Sequence, residues 1–251
     1  MSAAMDLAAD LPAPPSLASL LAMGPVALFL DFDGTLVEIA ATPDAIVVPP
    51  GMVARLCTLS ERLSGCLALV SGRAIDNLEL HCGPLGVACA GSHGLARYSA
   101  GRQRLGEEPL PVSTEVFEAL GQFAYDEGFR LETKTHGAAL HYRSDPSLEE
   151  RGLVFTGLLA KEHGLIVKRG KCVIELVPPG ADKGTAVHAF MAEPPFAGAR
   201  PVFVGDDLTD EDGFLAADEL GGFGILVGRR TPTNARYGVA DPAAVQQWLD
   251  L

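Results

Sequence analysis

What most limits the fold of this 251-residue chain is a set of short, almost uninterrupted apolar runs. They read VALFL (26–30), CLALV (66–70), GVACA (86–90), PVFV (201–204) and FGILV (223–227). A strand without a polar face must be covered on both sides. Such strands belong in a parallel sheet sandwiched between helices. The intervening segments supply the helices. Apolar residues recur at helical spacing in MVARLCTLSERL (52–63), and 74–81, 183–192, 210–218 and a stretch from Pro242 read the same way. The expected core is a doubly wound α/β sheet.

Between about Glu107 and Pro178 the rhythm changes. The order becomes helix (113–127), strands (129–135, 138–143), helix (147–163), strands (165–169, 172–177), with Arg169-Gly170 turning the last pair. This predicts an inserted α+β unit with an antiparallel sheet. The expected division is an N-terminal tail over 1–24, core over 25–106, insert over 107–178 and core again over 179–251. Residues 1–16, rich in Ala and Pro, read as mobile.

Hydrophobic residues make up 48% of the chain, enough for a sizeable core. A formal net charge of −13 sets the surface against nucleic acid and anionic membranes. An anionic small molecule stays admissible, because a few local cations or a metal outweigh the global field. Five cysteines without a CxxC pair point to a reducing, cytoplasmic compartment and to neither a disulfide framework nor a zinc site. No Lys or Arg stands near the N-terminus, so no secretory leader is expected. The apolar stretch Leu17–Leu30 is broken by Gly24-Pro25 and is too short to cross a bilayer. A monomer or weak dimer is expected.

Ligands of doubly wound sheets bind beyond the carboxyl ends of the strands. Four polar motifs fall there. In Asp31-Phe32-Asp33-Gly34-Thr35-Leu36, two acids two residues apart suppress each other's ionisation unless a cation sits between them. A helix cap or Asx-turn is the alternative. Ser71-Gly72-Arg73 offers a hydroxyl and free N–H groups to an anion, or an ordinary N-cap. In Asp182-Lys183-Gly184, Asp182 suits an N-cap and leaves Lys183 in a first turn, where the macrodipole disfavours a cation by roughly 0.3–1 kcal/mol. That placement makes sense if Lys183 points at an anion; a solvated surface lysine is the alternative. Gly205-Asp206-Asp207-Leu208-Thr209-Asp210-Glu211-Asp212 crowds acids that a divalent cation would relieve, unless it is a solvated loop.

The order DxDGT, Ser, Lys, GDDxxD resembles the haloacid dehalogenase superfamily of Asp-nucleophile phosphotransferases, across about 25–106 and 179–251. The resemblance implies a HAD-like, Rossmannoid core with an inserted cap. It implies that Asp31 is the nucleophile and Asp33 the general acid and base. Ser71, Gly72 and Lys183 would hold the transferring phosphoryl group. Mg²⁺ would be held by Asp31, the Asp33 backbone carbonyl and Asp206, with Asp207 or Asp210 as a further ligand or support. Three further stretches, Gly91-Ser92-His93-Gly94, the cap strands with Glu132-Thr133-Lys134 and His141-Tyr142-Arg143, and Lys171-x-x-x-Glu175-Leu176-x-Pro178, are similar to trehalose-6-phosphate phosphatases. This likeness implies a sugar-phosphate substrate, with His93, Glu132, Lys134, Arg143, Lys171 and Glu175 as sugar contacts. Cross-strand ion pairs are the alternative for the cap residues. The competing activities are phosphatases for sucrose 6-phosphate or mannosyl-3-phosphoglycerate, a phosphomannomutase-like transferase, and an inactive sugar-binding module.

Overall fold

Every apolar run becomes a strand of one sheet. The computed structural model describes residues 11–40, 42–107, 111–134 and 136–251. Residues 1–10 of the expected tail, 108–110 of the expected insert and Thr135 at the end of an expected strand lie outside the described residues. In chain order the elements are α1 (Leu17–Ala22), β1 (Val26–Leu30), α2 (Met52–Arg62), β2 (Leu67–Val70), α3 (Ile75–Cys82), β3 (Ala88–Gly91) and β4 (Ala96–Tyr98). Then come α4 (Thr114–Glu127), β5 (Arg130–Lys134), β6 (Gly137–His141), α5 (Glu149–His163), β7 (Ile166–Gly170) and β8 (Val173–Val177). The chain closes with α6 (Lys183–Met191), β9 (Arg200–Gly205), α7 (Glu211–Glu219), β10 (Phe223–Val227), β11 (Tyr237–Val239) and α8 (Pro242–Leu249).

The large sheet runs β11-β10-β9-β1-β2-β3-β4 and is parallel except for the β3–β4 pair. This is a HAD-like core. From β1 the chain winds outward to β2 and β3, then returns to β9 on the other flank, so order reverses at β1. Leu30 pairs with both Leu69 and Val204, which brings the carboxyl ends of the central strands level. Phe29 and Phe203 are register partners across β1 and β9 and share one face, whose core is aromatic: Phe29 stacks on Phe196 at 5.5 Å, and Phe203 meets Phe214 edge-on at 5.8 Å.

The insert folds on its own antiparallel sheet, β5-β6-β8-β7. Alternation along these strands sends Leu131, Leu140, Ile174 and Leu176 to a second hydrophobic cluster with Val116 and Leu120 of α4. The other face carries Glu132, Lys134, His141 and Glu175 toward the large domain. No helix among the described residues is long and apolar enough to cross a membrane, and the five cysteines are free.

Three details differ from expectation. The segment 11–24 is no tail. Leu17 and Leu20 of α1 are buried in the main core, Ser16 caps the helix by accepting from the Ser19 amide at 3.2 Å, and the Trp248 indole donates to the Pro15 carbonyl at 2.8 Å. The β7–β8 turn falls at Lys171-Cys172, because Gly170 still pairs with Val173 across the ladder; Lys171 is thereby lifted to the hairpin tip. The three-residue edge strands β4 and β11 were not expected. They are too short and too half-buried to carry a pattern, and short edges of this kind resist unwanted pairing.

If α1 belongs to the core, Leu20→Ala lowers unfolding free energy by about 2–4 kcal/mol in urea titration. An unchanged midpoint would return the segment to the status of a tail.

Candidate active site

Asp31 follows β1 directly and is buried, its amide donating to the Val204 carbonyl at 2.9 Å. Its neighbour in space is Lys183, the first residue of α6, also buried. Lys183 Nζ donates to Asp31 Oδ1 at 2.7 Å and to Asp210 Oδ1 at 2.6 Å. Asp182 caps α6, accepting from the Thr185 amide at 2.6 Å, and so sets the direction in which Lys183 leaves the helix. Asp210 Oδ2 accepts from the amides of Asp206 and Asp207 at 2.9 and 2.8 Å, which folds the loop after β9 around it.

The charges do not balance. Burial pushes the Asp31 carboxyl well above the usual range, against the pull of Lys183, and Asp210 and Asp206 push the same way. Burial is also the chief cause that raises Asp206 to about 6, with Lys171 opposing and Asp210 and Asp207 adding to it. For Lys183, burial favours loss of the proton, but Asp210 and Asp31 outweigh it and raise the ammonium above its ordinary value. Asp31, Asp206 and Asp210 bring carboxylate oxygens within 4.8 Å of one another. Asp206 Oδ1 is buried with no hydrogen-bond partner among the described residues. A hard divalent cation fits such an all-oxygen, electron-rich set. Gly34 makes the close approach possible: it sits at φ +79°, and a Cβ there would lie 2.3 Å from Asp206 Oδ2. Asp207, expected as a metal ligand, is placed otherwise. Its Oδ1 accepts from the Leu208 amide at 2.7 Å and caps the short turn Leu208–Asp210.

Asp33 meets a residue to which sequence reasoning assigned no role. Arg73 Nε donates to Asp33 Oδ2 at 2.6 Å and Nη2 to Oδ1 at 2.7 Å. Ser71, at the end of β2, is buried, and its Oγ accepts from the Arg73 amide at 3.1 Å. The Ser71 carbonyl in turn accepts from the His93 amide at 3.0 Å. The His93 ring lies on Gly72, where a Cβ would stand 2.6 Å from its Cε1. To reach that position His93 adopts left-handed backbone angles, φ 56° and ψ 33°, which a non-glycine residue takes only at a cost of about 1–3 kcal/mol.

The cap face closes over this floor. Glu175 bonds His93 through Oε2 and Lys134 through Oε1, and Lys134 Nζ also donates to the Gly72 carbonyl at 3.3 Å. His93 and Glu175, both expected as sugar contacts, are thus first partners of each other. Burial pulls the His93 imidazole below its ordinary value, against the opposing pull of Glu175. Burial alone would raise the Glu175 carboxyl, but His93 and Lys134 hold it well below the usual range. Glu132 pairs with His141 at 2.7 Å, and Lys171, at the hairpin tip, pairs with Asp206. Arg143 Nη2 donates to the Lys171 carbonyl at 3.3 Å. The residues expected from the sequence at the site line one cavity of about 320 Å³, within the range of small-molecule sites, except Asp210, which lies behind Lys183.

Comparison with known proteins identifies the family. The trehalose-phosphatase family profile matches residues 29–243. The chain belongs to the trehalose-phosphatase family. It is 37% identical over 231 residues to the trehalose-6-phosphate phosphatase of Escherichia coli (strain K12), covering 90% of this chain and 85% of that one. Among solved structures it is similar to the C-terminal domain of the C. albicans trehalose-6-phosphate phosphatase, with a TM-score of 0.81, 25% identity, and 95% and 96% of the two chains covered. A haloacid dehalogenase-like hydrolase from Bacteroides thetaiotaomicron shares the fold, with a TM-score of 0.61 at 16% identity over 90% of this chain and 98% of that one. Named members of the trehalose-phosphatase family are phosphoric monoester hydrolases.

The cap-to-core pairing has a pH signature. A carboxyl held below its unfolded value near 4.3 adds stability above that value and loses it as pH falls. Urea unfolding between about pH 5 and 3 is therefore expected to show a shallower loss of stability for Glu175→Gln than for the parent chain. Parallel curves would contradict the pairing.

Proposed function

We propose that the chain hydrolyses trehalose 6-phosphate to trehalose and phosphate through an aspartyl-phosphate on Asp31. The observation that carries this reading is the buried Asp31, held by Lys183 beneath the polar face of the cap sheet. Lys183 engages Oδ1, which leaves Oδ2 of Asp31 for phosphorus. In the first step an Asp31–phosphorus bond forms and the bond from phosphorus to the sugar oxygen breaks. The electron pair departs on that oxygen, which takes the proton from the Asp33 carboxyl. In the second, Asp33 accepts a proton from water, the oxygen of that water attacks phosphorus, and the Asp31 carboxylate leaves.

Lys183, the Ser71 hydroxyl and the Gly72 amide donate to the phosphoryl oxygens, where charge spreads in the transition state. Asp31, the main-chain carbonyl of Asp33 and Asp206 would hold Mg²⁺; the unpartnered Asp206 Oδ1 supports that assignment. When bound, the ion neutralises the carboxylates and the transferring phosphoryl group. Asp210 orients the loop rather than reaching the substrate. On the cap, Glu132, Arg143, Lys171 and the remaining N–H of Lys134 supply acceptors and donors for sugar hydroxyls. His93 and Glu175 act by holding Lys134 in place. The name borne by the Escherichia coli relative supports the choice of sugar.

A phosphate-release panel tests the reading. Trehalose 6-phosphate is expected to turn over faster than sucrose 6-phosphate and mannosyl-3-phosphoglycerate, and Asp31→Asn to lose on the order of 10³-fold or more. Glu132→Ala should weaken trehalose 6-phosphate hydrolysis far more than that of a small aryl phosphate. Preference for another sugar, or an active Asp31→Asn, would overturn it.

A further inference from the structure

Arg73 stands in the cavity wall immediately after Ser71-Gly72, with its side chain only 10% exposed. Its guanidinium is fixed on two sides. Nη1 donates to Asn77 Oδ1 at 2.7 Å on α3, and the Nε/Nη2 fork takes both oxygens of Asp33. The Asp33 side chain is 32% exposed, so it could turn into the cavity in several ways. A parallel two-bond fork is the arrangement that removes this freedom, because it fixes the plane of the carboxyl as well as its distance. Each Asp33 oxygen uses one lone pair on the fork and keeps a second for the proton it exchanges. The charges of Glu132 on the cap and Asp31 on the floor also favour the charged guanidinium.

We propose that Arg73 is a positioning residue for Asp33, aiming its carboxyl at the leaving oxygen. The chain of contacts runs from α3 through Asn77 and Arg73 to Asp33, so a helix of the rigid core sets the geometry of proton transfer. Proton transfer contributes only when the acid stands within hydrogen-bond reach of the leaving group, and small misplacements are costly. The inference rests on the role given to Asp33 above.

The test is leaving-group dependence across variants, with kcat/KM measured on trehalose 6-phosphate, phenyl phosphate and para-nitrophenyl phosphate. A nitrophenolate leaves without a proton; a sugar alkoxide does not. Asp33→Asn should lose most on the sugar phosphate, less on phenyl phosphate and least on para-nitrophenyl phosphate. Arg73→Gln is expected to reproduce that order in weaker form, about 10–100-fold on trehalose 6-phosphate and under about threefold on para-nitrophenyl phosphate. Arg73→Lys, which cannot fork, should fall between. In the Asp33→Asn background, Arg73→Gln should cost less than about a further threefold, because a residue that acts through another adds nothing once that one is gone. Equal losses on all three substrates, or additive losses in the double variant, would overturn the proposal and make Arg73 a direct phosphoryl contact. An Asp33→Asn variant without leaving-group bias would overturn the role of Asp33 itself, and the inference with it. Should Arg73→Gln fail to fold, Asn77→Ala carries the same test, with the same bias expected at about 3–10-fold.

Discussion

The bridge from Lys183 to Asp31 and Asp210 is the interaction on which the rest of the site depends. A buried ammonium and two buried carboxylates are each costly to desolvate, and removing one partner strands the others, at a cost of about 3–5 kcal/mol. Lys183 comes from α6, Asp31 from the end of β1 and Asp210 from the turn after β9, so a single cation ties three segments that are remote in sequence. It also resolves the oddity of a lysine in the first turn of a helix, where the macrodipole opposes it. Two acids pull it there. They leave a surplus of negative charge around Asp206, which suits a divalent ion.

The second constraint is the wiring of cap to floor. Lys134 reaches the carbonyl of Gly72, and Glu175 reaches His93, whose ring lies on the same Gly72. The loop proposed to bind phosphate is therefore held from above by residues of the cap. Under the proposed function, selection of the sugar and orientation of the phosphoryl group would be mechanically joined there. The left-handed backbone of His93 fits this role, since strain of that kind persists only where surrounding contacts over-determine it.

The sheet was legible because its strands are buried on both faces, and such strands have no choice but to be apolar throughout. The cap was legible because its strands are covered on one face only. α1 was missed since Ala and Pro around it mask two buried leucines, Leu17 and Leu20. Within GDDLTDED, sequence could not say which carboxylate faces inward. The tight turn Leu208–Asp210 decides it by turning Asp207 to a cap and Asp210 to Lys183. Arg73 carried no signal of its own, since its partner Asp33 lies 40 residues away and an arginine after Ser-Gly is unremarkable until the two strands meet. The charge balance of DFDGTL was legible only in part. Lys183 was expected near it, but the fork on Asp33 was not.

Divalent-ion binding tests the central claim most directly. Thermal unfolding of the parent chain and of Asp206→Asn should be followed with and without millimolar Mg²⁺. The account predicts that Mg²⁺ raises the Tm of the parent chain by several degrees and leaves that of Asp206→Asn almost unmoved. No shift in the parent, or an equal shift in both, would contradict it.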